Sequence, residues 1–178
     1  MPTRYGDALI RCLMEAGEEF DITPYGTEAL GVMRIEKGHA AGNELNGTTT
    51  ALNLGLGRMV SKTKDSIGSI LSEREGLTRD DARMKVGFKP VDPSDQVVAG
   101  SHLLAVGDPA NAAHDQGYVT SAAYSPTLGT SIGIGFLKNG AARKGDVVRA
   151  MNPIEGSEVM VQIVSTHFFD PEGVRLRA

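Results

Sequence analysis

A glutamate stands where a helix gains nothing from carrying one. In the stretch Tyr25 to Lys64, YGTEALGVMRIEKGHAAGNELNGTTTALNLGLGRMVSKTK, Thr27 can cap a helix. In that helix Leu30, Met33, Arg34 and Lys37 share one face, and Val32, Ile35, Glu36 and His39 share another. Gly38 is the natural stop. Glu36 follows Met33 and Val32 at helical spacing, so it projects from an apolar stripe, in the last turn where the macrodipole disfavours an anion. Two readings account for it. Either a buried partner receives the carboxylate, because an unpaired buried charge is costly, or the last turn frays into water. On the residues alone exposure is the simpler reading. Lys62 and Lys64 have the form of a solvated pair, each a point charge without the bidentate fork of arginine. His167-Phe168-Phe169-Asp170-Pro171 places two rings near the carboxy end, where residue type alone assigns them to a core.

Other patterns point away from chemistry. Gly55-Leu56-Gly57-Arg58 and Gly133-Ile134-Gly135-Phe136 begin like dinucleotide fingerprints, but Val60 and Lys138 occupy the third glycine position and neither run opens a helix. Close backbone packing explains them better. Gly129-Thr130-Ser131-Ile132-Gly133 has the hydrolase spacing, with Asp146 and His167 following, yet a proline turn precedes it and a strand-like run follows it, so the nucleophile elbow is absent. His39, His102, His114 and His167 lack the paired spacing of metal ligands, and His114-Asp115 reads as a polar turn. Thr48-Thr49-Thr50 can cap the next segment or offer hydroxyls to a ligand, and capping is the commoner use.

The elements that would position these residues fall into two groups. Tyr5, Leu9, Cys12, Leu13 and Ala16 recur at helical spacing and Gly17 ends the run, which makes Cys12 a small core residue rather than a reactive thiol. After the helix at Thr27, a Gly/Ala/Asn-rich loop leads to an expected strand over 54–61. Asp65 can cap a helix reaching Arg74, with Gly76 as its end, and Thr78-Arg79-Asp80-Asp81 has the form of another helix start. From Met84 the periodicity turns β-like: 84–91, 102–106, 117–124, 132–138, 146–151 and 158–165 are short runs separated by Pro, Gly, Asn and Asp, which fits a small antiparallel barrel or sandwich. The fold class is therefore α+β, with a first domain over 1–84 and a second over 85–178.

Composition narrows the functions. At 178 residues, 40% hydrophobic and 22% charged, the chain can bury an ordinary globular core. With 18 Lys and Arg against 22 Asp and Glu, the net charge of −4 offers no field to hold a phosphate backbone, so nucleic acid is not expected as a partner. No apolar run reaches the ~18 residues of a spanning helix, and Met-Pro-Thr-Arg-Tyr-Gly-Asp does not resemble a secretory signal. The expected location is cytoplasmic, away from membranes.

Two separated motifs carry a resemblance. Arg34-Ile35-Glu36-Lys37-Gly38 with Thr49-Thr50-Ala51 is similar to the Arg-Leu-Glu-Ala-Gly helix end and Thr-Thr-Pro loop of the folate-dependent aminomethyltransferase superfamily. Thr120-Ser121-Ala122-Ala123-Tyr124-Ser125-Pro126-Thr127-Leu128-Gly129 resembles its Thr-Ser-Gly-x-x-Ser-Pro-Thr-Leu-Gly signature. YGTEALGVMRIEKGH and FFDPEG look most like the carboxy-terminal part of the alpha subunits of heterotetrameric sarcosine oxidases, and the similarity covers nearly the whole chain. The resemblance implies an incomplete aminomethyltransferase-like α/β folate-binding region followed by a β-barrel. It implies that Glu36 hydrogen-bonds the pterin of tetrahydrofolate, that Lys64 meets the carboxylate tail, and that Phe169 lies near the ligand cleft.

In the implied reaction sarcosine is oxidised at a flavin on another subunit and its methyl carbon passes to tetrahydrofolate. Glycine, hydrogen peroxide and methylenetetrahydrofolate are the products. Flavin and NAD would belong to regions or subunits outside this chain, as would an upstream half-domain with an aspartate important for transfer. A piece or subunit of a larger assembly is expected, with an apolar face open to other sarcosine oxidase subunits or to self-association, and without catalytic completeness of its own. Ala51 and Ser66 depart from the Pro and the aromatic common in relatives. They leave room for two alternatives, a transferase fragment or a structural module without a usable folate site.

Overall fold

Six strands in the second half of the chain close on themselves. The computed structural model describes residues 2–177, and the chain divides into two compact units, Met1–Leu30 and Gly31–Ala178. The helices are α1 (Gly6–Gly17), α2 (Thr27–Glu36), α3 (Ser69–Ser72) and α4 (Glu75–Thr78). The strands are β1 (Arg83–Pro90), β2 (His102–Leu104), β3 (Gly117–Ser125), β4 (Thr130–Lys138), β5 (Val147–Asn152) and β6 (Ser157–Val164). They form a closed antiparallel barrel in the order β1-β4-β3-β2-β5-β6, with β1 pairing back onto β6. Among the described residues, closure leaves the barrel without an open sheet edge.

The barrel core follows from alternation. Phe88, Leu103, Val119, Leu137, Val148, Val161 and Ile163 are sealed inside it. β4 is buried along both faces, and Ile132 and Ile134 form a second apolar cluster with Ile35 of α2, flanked by Ala123, Leu128 and Phe168. The intervening glycines serve the other face. A Cβ on Gly135 would stand 2.2 Å from the Tyr118 carbonyl oxygen, so the Ile-Gly-Ile-Gly run records close strand packing, as its reading against a dinucleotide fingerprint requires.

α2 ends as its sequence directs. The Gly38 N–H donates to the Ile35 carbonyl at 2.9 Å and the His39 N–H to that of Arg34 at 2.8 Å, a Schellman arrangement with Gly38 at φ 74°. A Cβ there would also lie 2.4 Å from the Thr166 carbonyl oxygen, so the helix end is docked on the chain leaving β6. Gly38→Ala is expected to cost about 1–2 kcal/mol from the left-handed conformation alone. A denaturant midpoint equal to wild type would contradict this.

Four expectations are corrected. Cys12 is exposed, not core; within the first unit the apolar side of α1, with Leu9 45% and Leu13 53% exposed, is open. Residues 54–61 form no strand. Their backbone groups are spent on successive turns (Gly55 N–H to Leu52, Leu56 N–H to Ala51, Met59 N–H to Leu56), with Gly55 at φ 78°. The helix expected over 65–74 shrinks to α3, because Ile67 and Ile70 are exposed and a short helix without packing is marginal. Thr78 ends α4 instead of starting a helix, since Asp81 is engaged by the Arg79 fork at 2.9 and 3.1 Å.

Candidate functional site

Glu36 sits at the junction of three segments and is 6% exposed, so the buried-partner reading replaces the exposed one. Its partner is Ser125, whose hydroxyl donates to Glu36 Oε1 at 2.5 Å. Ser125 Oγ in turn accepts the Leu128 N–H at 3.1 Å, and the Gly129 N–H closes the turn onto the Ser125 carbonyl. The Ser-Pro-Thr-Leu-Gly run is thus a β3–β4 turn that presents one hydroxyl to one carboxylate. The backbone carbonyl of Glu36, left free at the helix end, accepts from the N–H groups of Phe168 at 2.9 Å and Phe169 at 3.0 Å. Glu36 Oε2 has no donor among the described residues, and it is not among the sealed, unpartnered side-chain atoms, of which Arg149 Nε is the one found there. One carboxylate oxygen is anchored and the other remains available.

A second glutamate holds the frame. Glu44, fully buried, accepts at Oε2 from Arg34 at 2.9 Å and from the Ala41 N–H at 2.8 Å. At Oε1 it accepts from Ser121 at 2.7 Å and from Thr120 at 2.5 Å. Arg34 also donates to Ser121 at 2.6 Å. Consecutive strand residues ordinarily face opposite ways. Here the register shifts between Val119 and Ser121, and this bulge lets Thr120 and Ser121 address the same oxygen. Burial pushes the Glu44 carboxyl up, but the bonds from Thr120, Ala41 and Ser121 and the Arg34 charge outweigh it and hold the group below its ordinary range.

Cations surround the docked helix end. Lys85 donates to the Gly38 carbonyl at 2.7 Å, and burial lowers its pKa although the Glu44 charge opposes this. Lys37 reaches the Asp170 carboxylate at 3.1 Å and its carbonyl at 2.6 Å. His167 is shifted down, first by burial and then by Lys85, Lys37 and His39, so it stays neutral near pH 7.

Of the residues singled out in the sequence, Glu36 and Phe169 come together through the backbone bond, while the Phe169 ring lies 5.0 Å from the Arg175 guanidinium carbon. Lys64 is exposed in a loop where its N–H donates to Ser61 Oγ, and no hydrogen bond joins it to the other two. Ser131 of the hydrolase-like pattern is buried and accepts the Val97 N–H, a structural use. Thr48, Thr49 and Thr50 hydroxyls donate to the Asn46 and Asn53 side chains, also locally. Asp115 is more than a turn residue, since it pairs with Arg83 at 2.7 Å and meets His102 at 3.1 Å. Among the described residues no group of three or more His, Cys, Asp or Glu could hold a metal ion, and no helix is long and apolar enough to cross a membrane.

Glu44 was missed because two of its four donors, Thr120 and Ser121, lie 76 and 77 positions downstream, and the spacing to Arg34 and Ala41 follows no regular period. Its only local signal is an acid inside the Gly-Asn-Glu-Leu-Asn loop.

Comparisons with known proteins agree with this fold. Residues 1–64 match the family described as GCVT N-terminal domain, and residues 83–170 match the glycine cleavage T-protein C-terminal barrel domain. The chain is 43% identical over 177 residues to the sarcosine oxidase subunit alpha of Rhizobium meliloti (strain 1021), a match covering 99% of this chain and 18% of that protein. It is 30% identical over 176 residues to an aminomethyltransferase of Thermoanaerobacter sp. (strain X514), covering 95% and 44%. Among solved structures, the glycine cleavage system aminomethyltransferase T of Bartonella henselae superposes with a TM-score of 0.69 at 22% identity, over 96% of this chain and 45% of that one, which establishes the fold. The chain therefore spans less than half the length of each of these relatives, and with both of its halves matched it belongs to the glycine cleavage T-protein family.

Proposed function

We propose that this chain is the tetrahydrofolate-binding portion of a sarcosine oxidase alpha subunit, supporting oxidative demethylation of sarcosine to glycine with transfer of the methyl carbon to tetrahydrofolate. The observation that carries the reading is Glu36, a buried carboxylate held by Ser125 at one oxygen with the other open. A pterin offers adjacent N–H and amino donors, and a fixed carboxylate accepts both in charge-assisted bonds about twice as strong as neutral ones. Ser125 does not exhaust Oε1, because a carboxylate oxygen accepts two bonds. Phe169, tied to Glu36 through its backbone N–H, supplies an apolar ring for the ligand cleft, and Lys64 supplies charge for the folate tail. The carbon acceptor is tetrahydrofolate itself; the residues of this chain bind and orient it.

The apolar side of α1 supports association with further protein mass, other subunits of the oxidase in this reading. Capture with the tagged chain from cells that use sarcosine is expected to retain a protein with flavin absorbance. Retention of a lipoylated carrier instead would favour the aminomethyltransferase reading, to which the 30% identical relative also points. Retention of neither would count against both assemblies.

A further inference from the structure

We propose that an open cleft at the start of β1 binds a small multivalent oxyanion, a molecule bearing two or more carboxylate or phosphate groups. The cleft has a volume of about 580 Å³, within the range of small-molecule sites. Arg74, Arg79, Arg83 and Lys138 line it, with Asp81 the one carboxylate of the lining. Four cations thus stand around one concavity, and because Arg79 and Arg83 are paired with Asp81 and Asp115, its excess positive charge rests on Arg74 and Lys138.

The cations differ in how they are held. Arg83 is pre-positioned: Asp115 fixes one guanidinium nitrogen at 2.7 Å, and the guanidinium carbon stands 5.6 Å from the Tyr118 ring centroid. Its remaining N–H donors need no further ordering to meet an anion. Arg79 is likewise held by the Asp81 fork. Arg74 and Lys138 form no ion pair among the described residues, so they can close on a second anionic group. Tyr118 and Phe136, tilted at 46° with centroids 6.0 Å apart, add an aromatic wall. Glu36, Lys64 and Phe169 are not part of the lining, so the proposal stands apart from the folate reading.

Calorimetric titration of the chain with pyrophosphate and with citrate, at low and at physiological salt, tests it. At least one anion is expected to bind saturably, and the tighter of the two identifies phosphate or carboxylate as the ligand chemistry. Arg83→Gln is expected to weaken that binding about tenfold, the scale of one lost charge-assisted bond. Arg74→Gln with Lys138→Gln should do the same while leaving the Arg83–Asp115 pair intact, which guards against a folding defect in the first variant. Lys144→Gln, an exposed lysine outside the lining, should change nothing. Absence of saturable binding by both anions, or equal weakening in all three variants, overturns the proposal.

Discussion

Replacing Glu44 by alanine is expected to destabilise the protein by about 3–5 kcal/mol, the cost of removing one partner from a buried ion pair. The carboxylate is fully buried and receives four donors: Arg34, the Ala41 N–H, Thr120 and Ser121. Alanine leaves Arg34, 22% exposed, without its counter-ion and leaves a cavity between the loop after α2 and the bulge of β3. Glu44→Gln preserves the volume but turns an amide N–H₂ toward donors, so it should recover only part of the loss.

Acid should act on the same group. Because the folded carboxyl lies below the usual glutamate value of 4.5, the unfolded chain binds the proton first as pH falls. Glu44's contribution is therefore complete above that value and is lost as pH drops through the folded one. The gap between wild type and Glu44→Ala, read from urea unfolding at a series of pH values, is expected to be widest at neutral pH and to narrow in acid. A neutral-pH difference below about 1 kcal/mol, the size of an ordinary substitution, would contradict the role given to Glu44.

The barrel was legible in the sequence because its strands carry their information locally. Each of the six expected runs overlaps an observed strand, from β1 at Arg83–Pro90 to β6 at Ser157–Val164, since β-branched and apolar residues alternate between Gly, Pro, Asn and Asp turns. The end of α2 was legible for the same reason, with Gly38 adopting the conformation its place requires. The stretch from Leu54 to Asp81 misled. Its apolar residues suggest a strand and longer helices, but Leu56, Met59, Val60, Ile67 and Ile70 are exposed, and without burial their propensities do not decide the structure.

The candidate site divides along the same line. Glu36 announced itself by violating helix rules, yet nothing near it names Ser125, which stands 89 positions away and meets it only because α2 packs on the β3–β4 turn. Thr120 and Ser121 were visible only as part of a resembling motif. Their shared target depends on a bulge, and two adjacent hydroxyls do not encode one.

The most direct test of the folate reading is anaerobic calorimetric titration of the chain and of Glu36→Gln with tetrahydrofolate. Glutamine keeps the volume and an oxygen for Ser125, so the fold should persist, as circular dichroism can verify. At the open position, however, it no longer presents a carboxylate to the pterin donors. Saturable binding by wild type, weakened in the variant by about 1.5–3 kcal/mol or roughly 10- to 150-fold, is the predicted result. Equal affinity of the two proteins, or no saturable binding by wild type, would contradict the assignment of Glu36 as the residue that holds folate in this chain.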